Sequence, residues 1–322
     1  MEENGIFHLV VTFVSETFKF YRSYCFIMIL EPFRYFSPAS FEDALNLLDR
    51  YGEEGKIIAG GQSLIPIMKM GFDVPYVIDI KKISELKNVS LKKEGSSNLD
   101  ELRLGCLVTH SEVENSKVVR KYLPLLSKTA AGIGHPMIRN RGTIGGSLTH
   151  CDPVADLCTT SLVLNARVKL QSAGGQTREV PVNRFFLGPL KVDIKHNEIL
   201  TEVIFPLNYG RTGYDVQKLT IGHGDFPLFI TSVSIEYSGN TFKNSAVGLG
   251  GVSDTAIRDF EIESRINGKS TIGEEDLEDV ARIAVEKYEG PSSMELSQDY
   301  TRKMVGSYLK RALRNSVKMI TG

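Results

Sequence analysis

The 322-residue chain has only four cysteines, Cys25, Cys106, Cys151 and Cys158, and no two form a C-x-x-C pair. A zinc ribbon or an iron–sulfur cluster held by this chain is therefore excluded, since both need thiolates gathered at short spacing. Scattered thiols read as reduced and intracellular, so a cytoplasmic location is expected. Neither sign of charge is in surplus: 38 Lys plus Arg stand against 39 Asp plus Glu, for a net charge of −1. That balance argues against a nucleic-acid or polyanion surface. Also missing are the dinucleotide fingerprint G-x-G-x-x-G, the phosphate loop G-x-x-x-x-G-K-[ST], the nucleophile elbow G-x-S-x-G and the metalloprotease motif H-E-x-x-H. No long uncharged run exists either. Residues 5–30 are aromatic and apolar, but Glu16, Lys19 and Arg22 interrupt them before a membrane span accumulates. With acids at the start and no small-residue cleavage site at the end, a secretory signal is not expected. Residues 1–27 read as a poorly packed extension, and a start codon at Met28 is the preferred account.

What remains is ordinary globular material, 42% apolar and 24% charged, long enough for two or three domains. From Met28 the pattern is orderly. Ser40 stands ahead of Glu42-Asp43 as a helix cap, and Phe41, Ala44, Leu45 and Leu48 share one helical face that Gly52 ends. "KIIAGG" reads as a strand stopping at two glycines, followed by an amphipathic stretch that closes on Gly71. "PYVIDI" and "LDELRLGCLVT" read as strands, Thr109-x-x-Glu112 as a capping box, and Pro124 as the first residue of a helix. "DPVADLCTTSLVLN" reads as a buried helix with acids at its positive end, and "ARVKLQSAGGQTREVPV" as a hairpin around Gly174-Gly175. After the strand "EILTEVIFPL", Pro206–Gly213 reads as a domain boundary. A strongly alternating hairpin turning at "SGN" follows, then two helices over roughly 274–289 and 299–318. Mixed elements with few clean βαβ units predict an α+β protein.

Three glycine clusters invite chemistry: Ala59-Gly60-Gly61-Gln62-Ser63, Thr143-Ile144-Gly145-Gly146-Ser147, and Gly248-Leu249-Gly250-Gly251. The first two share a form: a β-branched approach, two glycines whose amides are expected to be exposed, then a hydroxyl residue. Paired nests of N–H donors neutralise a diphosphate without lysine, and neither loop contains Lys or Arg. The third cluster has no acid or hydroxyl pattern and reads as structural. Asp152 and Asp156, four apart, would share a helix face. Capping is the expectation for Asp152. For Asp156 a hydroxyl-binding role and a capping or solvated one stay open. His135 and His150 flank the second loop and read by default as surface or satisfied histidines.

"AGGQSLIPIMK" (59–69) together with "IRNRGTIGGSLTHCDPVADL" (138–157) resembles the FAD-binding medium subunit of the molybdenum hydroxylases, in particular the carbon monoxide dehydrogenase and aldehyde-oxidising members. The resemblance runs from Met28 to about Leu313. It implies an FAD-binding domain of the vanillyl-alcohol-oxidase (PCMH) type over 28–206, in subdomains 28–83 and 84–206, and a smaller α+β C-terminal domain over 207–322. By the same resemblance Ala59, Gly60, Gly61, Gln62, Ser63 and Leu64, with Thr143, Ile144, Gly145, Gly146 and Ser147, hold the diphosphate and the adjacent flavin edge. Asp156 bonds a cofactor hydroxyl, Leu200 packs near the isoalloxazine, and Lys218 adds a charge near ring or phosphates. No residue of this chain is expected to be catalytic or to bind metal. One departure stands out: "KLTIGHGDFPL" has Gly222-His223 where the family commonly carries arginine, which bears on flavin-edge contacts.

The resemblance further implies partners: a molybdopterin-containing large subunit and a [2Fe–2S] small subunit, assembled as a dimer of heterotrimers. A cysteine-rich insertion, as in 4-hydroxybenzoyl-CoA reductase, is lacking, so electrons are expected to pass straight between a partner's cluster and FAD. Two other readings stand beside this one. A self-sufficient flavin oxidase of the same fold would tether FAD through His135 or His150, and a flavin-free assembly protein would keep the fold alone.

Overall fold

The computed structural model describes residues 30–93, 100–208, 210–222, 224–291 and 296–322. The 1–27 extension, Met28, Cys25 and His223 lie outside the described residues. Strands β1 (Arg34–Phe36), β2 (Gly55–Ile58) and β3 (Tyr76–Asp79) make a parallel sheet with β3 in the middle. The helix Phe41–Tyr51 joins β1 to β2. Ser40 caps it, its hydroxyl accepting the Asp43 amide at 3.1 Å, and Ala44, Leu45 and Leu48 are buried. Gly52 ends it with φ of +53°, a conformation that costs a side-chain-bearing residue more. The helix Leu64–Lys69 joins β2 to β3.

Strands β4 (Val89–Lys92), β5 (Glu101–Gly105), β6 (Arg167–Ser172) and β7 (Thr177–Pro181) belong to a second sheet. The small hairpin β8 (Phe186–Gly188) and β9 (Lys191–Val192) precedes its long central strand β10 (Glu198–Pro206). The order is β4-β5-β10-β6-β7, antiparallel throughout. Between β5 and β6 the chain runs through short helices, Pro124–Ala131, Ile144–His150 and Asp156–Val163 among them. The capping box is present in both directions. The Thr109 amide donates to Glu112 at 2.7 Å, and the Glu112 amide donates to the Thr109 hydroxyl at 3.2 Å.

A third sheet, β11 (Arg211–Thr220), β12 (Pro227–Ser238), β13 (Thr241–Gly250) and β14 (Ile257–Arg258), is antiparallel and sequential. Gly239 and Asn240, both with positive φ, make the two-residue turn of its central hairpin. The helices Glu274–Lys287 and Gln298–Thr321 cover it, joined by Phe260–Ile266, which periodicity had not separated from its surroundings. One apolar core lies under the first two sheets, and a second joins the third sheet to its helices.

Among the contacts that tie the second core to the first, two are built on single positions of the third sheet. Asp215 on β11 is fully buried and receives Lys128 of Pro124–Ala131, Gln217 at 2.9 Å and Asn315 of the last helix at 2.7 Å. Removing the acceptor leaves these donors unanswered, so Asp215→Ala is expected to lower unfolding stability by about 3 kcal/mol. Asp215→Asn should lose less, and urea denaturation of the two variants measures the difference.

The second contact is the Gly248–Gly251 cluster. A Cβ on Gly248 would sit 2.7 Å from Val163, and one on Gly250 would sit 2.5 Å from the Thr159 hydroxyl. These glycines let β13 lie directly on the helix Asp156–Val163, which is the structural role expected of them.

Candidate functional site

The two remaining diglycine loops meet. A Cβ on Gly60 would lie 2.1 Å from the Arg141 carbonyl oxygen and 2.9 Å from the Gly142 Cα, so only a bare glycine permits this backbone contact. Gly61 has φ of +71°, and a Cβ there would also press on Ile65 at 2.8 Å. Together the loops line a single cleft of about 1080 Å³. Of the residues expected at the site, Ala59, Gly60, Gly61, Gln62, Ser63, Leu64, Thr143, Gly145, Gly146, Ser147, Asp156 and Leu200 line it. Ile144 is wholly buried and is not among the lining residues.

The loops differ in what they offer. Among the described residues no protein acceptor takes the amides of Gly60, Gly61, Gln62, Ser63 or Leu64, so five successive N–H donors stand unpaired at the cleft wall. In the second loop the expected exposure of amides does not hold. Ile144 donates to Val108 at 2.9 Å, Gly145 to Cys106 at 3.0 Å, and Ser147 to Thr143 at 3.0 Å. Gly146 donates to the Thr143 hydroxyl at 3.1 Å, the N-cap bond of Ile144–His150. The cause is the exit of β5, whose carbonyls at Cys106 and Val108 accept the loop. Cys106 is itself held to β10 through Thr201 at 2.8 Å. Gly145 is needed for that approach, because its Cβ would fall 2.5 Å from Cys106 Cβ. The second loop thus contributes shape, namely the bare flank of Gly146 and the Ser147 hydroxyl, rather than a second nest.

Asp156 opens its helix and lines the cleft with 8% of its surface exposed. Its Oδ1 takes the Lys218 ammonium at 2.8 Å, and Lys218 also donates to the Gly132 carbonyl at 2.7 Å. Burial raises the Asp156 carboxyl above its ordinary range, and Lys218 opposes that rise. Lys218 reaches the cleft only through Asp156; it is not a lining residue. Asp152 does not share the helix face of Asp156. Its carboxylate accepts the Val154 amide at 2.9 Å in the turn ahead of the helix. Leu200 is buried on β10, beside a bulge between Leu200 and Glu202.

Residues 31–208, over half the chain, match the family described as the FAD binding domain in molybdopterin dehydrogenase, and 216–316 match the CO dehydrogenase flavoprotein C-terminal domain. The carbon monoxide dehydrogenase medium chain of Hydrogenophaga pseudoflava is 34% identical over 287 residues, 89% of this chain and 97% of that one. The chain belongs to the medium, FAD-binding subunits of the molybdenum hydroxylases. The nicotine 6-hydroxylase medium subunit of Paenarthrobacter nicotinovorans is 33% identical, covering 89% of this chain and 98% of that one. The solved carbon monoxide dehydrogenase of Hydrogenophaga pseudoflava superposes with a TM-score of 0.84 at 32% identity, over 91% of this chain and 99% of that one.

This medium subunit is therefore an FAD-binding oxidoreductase subunit of a multi-subunit complex, with the α+β fold that its motifs implied. The cleft fits the cofactor: unpaired amides suit a diphosphate, and the wall beside them is kept free of a side chain at Gly146. Among the described residues no group of three or more His, Cys, Asp or Glu is placed to hold a metal, and no helix is long and apolar enough to cross a membrane.

Several lining residues escaped the sequence reading. His110, Cys106 and most of the segment Leu190–Ile199 line the cleft. His110 hides inside a capping box, where its neighbours explain the local pattern completely. Burial pushes the Cys106 thiol up to about 12, so it stays a neutral packing group under the second loop. His135 and His150 line the cleft as well, and burial lowers the imidazole of His150. Cys151 and Cys158, like Cys106, are buried free thiols.

Proposed function

We propose that the five amides of Gly60–Leu64 hold the FAD diphosphate, with Gly146 and Ser147 forming the neighbouring wall and Asp156 accepting from a cofactor hydroxyl. Leu200 supplies the apolar surface for the isoalloxazine. Lys218 acts on the site by keeping Asp156 ionised and fixed. Bound FAD supplies the redox chemistry, taking electrons from a partner's [2Fe–2S] centre and giving them to an external acceptor. The chain's own part is to position, to exclude side chains and to set local charge. Residues 28–206, in the two parts 28–83 and 84–206, form the cofactor unit and 207–322 the covering unit. A molybdopterin large subunit and an iron–sulfur small subunit complete a heterotrimer that pairs into a dimer in the cytoplasm. The substrate belongs to the large subunit. The relatives' names, carbon monoxide in one and nicotine in another, support that separation.

The observation that carries this reading is the run of unpaired amides at the point where the two loops touch. Purified full-length protein is expected to show the visible flavin band, or to acquire it on adding FAD, and to release all flavin on denaturation. A colourless protein that refuses FAD would remove the reading, and flavin that stays attached after denaturation would favour the tethered oxidase.

A further inference from the structure

His110 has no part in the roles proposed above, yet it occupies the junction of the two loops. It is 5% exposed, lines the cleft, and its backbone amide donates to the Gly142 carbonyl at 2.9 Å. Its Nδ1 is buried without a hydrogen-bond partner. Its Nε2 edge lies under Gly142, where a Cβ would sit 2.7 Å from Nε2. Gly142 is in turn the residue against which Gly60 packs. Imidazole, bare glycine and the first donor of the amide run therefore form one row along the wall.

We infer that His110 is a cofactor-binding residue that presents an Nε2–H donor to the diphosphate of the flavin nucleotide. The inference rests on the diphosphate reading given above. The tautomer follows from the surroundings. A neutral imidazole protonates one nitrogen, and an N–H at Nδ1 would be a buried donor with no acceptor, whereas an unshared lone pair there is the lesser loss. The proton accordingly sits on Nε2, the nitrogen beside which Gly142 carries no side chain. Burial, aided by the Arg139 guanidinium, holds the imidazolium down to about 4, so the ring is a neutral donor in the physiological range. Arg139 is itself engaged, by Glu114 at 2.9 Å and by the carbonyls of Ile133 and Gly134. The position also has a purpose. The second loop has consumed its amides, and a side-chain donor beside Gly60 supplies on that flank what the backbone does not.

The test compares the full-length wild-type protein with His110→Leu and His110→Gln, measuring binding of FAD and of riboflavin, which lacks phosphate, by fluorescence quenching. His110→Leu is expected to weaken FAD about tenfold or more and to leave riboflavin unchanged. His110→Gln places an amide N–H near the Nε2 position and should stay within about threefold of wild type. Equal FAD affinity in wild type and His110→Leu overturns the inference, and so does a parallel loss of FAD and riboflavin, which marks a structural residue. Should the leucine variant not fold, nitrogen NMR of wild-type protein labelled at histidine decides. An Nε2-protonated His110 whose signal moves on adding FAD supports the assignment; an Nδ1-protonated ring, or an unmoved signal, refutes it. Failure of the wild type to bind FAD at all is a separate result and strikes the diphosphate reading instead.

Discussion

Replacing Gly146 by valine is expected to abolish FAD retention while leaving a folded protein. The direction a Cβ would take from Gly146 meets only the Thr143 hydroxyl at 3.0 Å, and the residue lines the cleft. The added branches therefore enter the space reserved for cofactor rather than the protein interior. A loss of about 100-fold in FAD affinity, equivalent to about 2.8 kcal/mol, is the minimum expected. Gly60→Val should behave differently. Its Cβ would fall on the Arg141 carbonyl at 2.1 Å, a backbone group that cannot rotate away. The two loops would have to part, so cofactor and stability should be lost together, with an overpacking cost of about 1–3 kcal/mol. Thermal unfolding of the two cofactor-free variants separates the cases. Wild-type flavin content in Gly146→Val would disprove the placement of the cofactor against that wall.

Lys218→Met should destabilise the subunit by about 3 kcal/mol, because it leaves the buried Asp156 carboxylate without its cation. Both partners are largely buried, at 20% and 9% side-chain exposure, so solvent screening does not reduce the effect greatly. The loss should depend on pH, with a sign fixed by the direction of the shift. Burial raises the folded-state pKa of Asp156 above its unfolded value, and Lys218 opposes the rise. Without the lysine the rise is larger. A folded state that binds the proton more tightly than the unfolded state loses stability as pH increases between the two values. The deficit of Lys218→Met relative to wild type is therefore greatest at neutral pH and shrinks on acidification. Adding Asp156→Asn should recover most of it at neutral pH, because the uncompensated charge is gone. A deficit that is flat with pH, or additive in the double variant, would mean that Lys218 matters only through its bond to Gly132.

Much of the chain declares itself locally. The Ser40 cap, the Thr109–Glu112 box, the hairpin glycines 174 and 175 and the alternation of β12 and β13 are each settled by residues within a few positions of one another. The convergence of the two loops was legible because both carry a diglycine followed by a hydroxyl residue, and the third glycine cluster was separable because it lacks polar company. What stayed hidden depends on distance. The amides of residues 144–147 look available in the sequence, yet their acceptors include carbonyls at Cys106 and Val108, on the far side of four helices. Lys218 could be expected near the cofactor, but its pairing with Asp156 is a contact across 62 residues between separate sheet systems. Asp152 and Asp156 were expected on one helical face, and the Asx turn at Asp152 delays the helix by four residues. His110 was invisible because its importance lies in a bond that one of its ring nitrogens does not make.

The seating of β13 on the Asp156 helix bears on how such subunits are recombined. Gly248, Gly250 and Gly251 were shaped for the side chains of Thr159, Val163 and Val154, which belong to the other half of the chain. A chimera that imports only a relative's last hundred residues would set a foreign surface on that helix, and the misfit would be transmitted to the carboxylate at its first turn. Exchanges should therefore carry residues 153–163 along with the donor's β-sheet, as one interlocking piece.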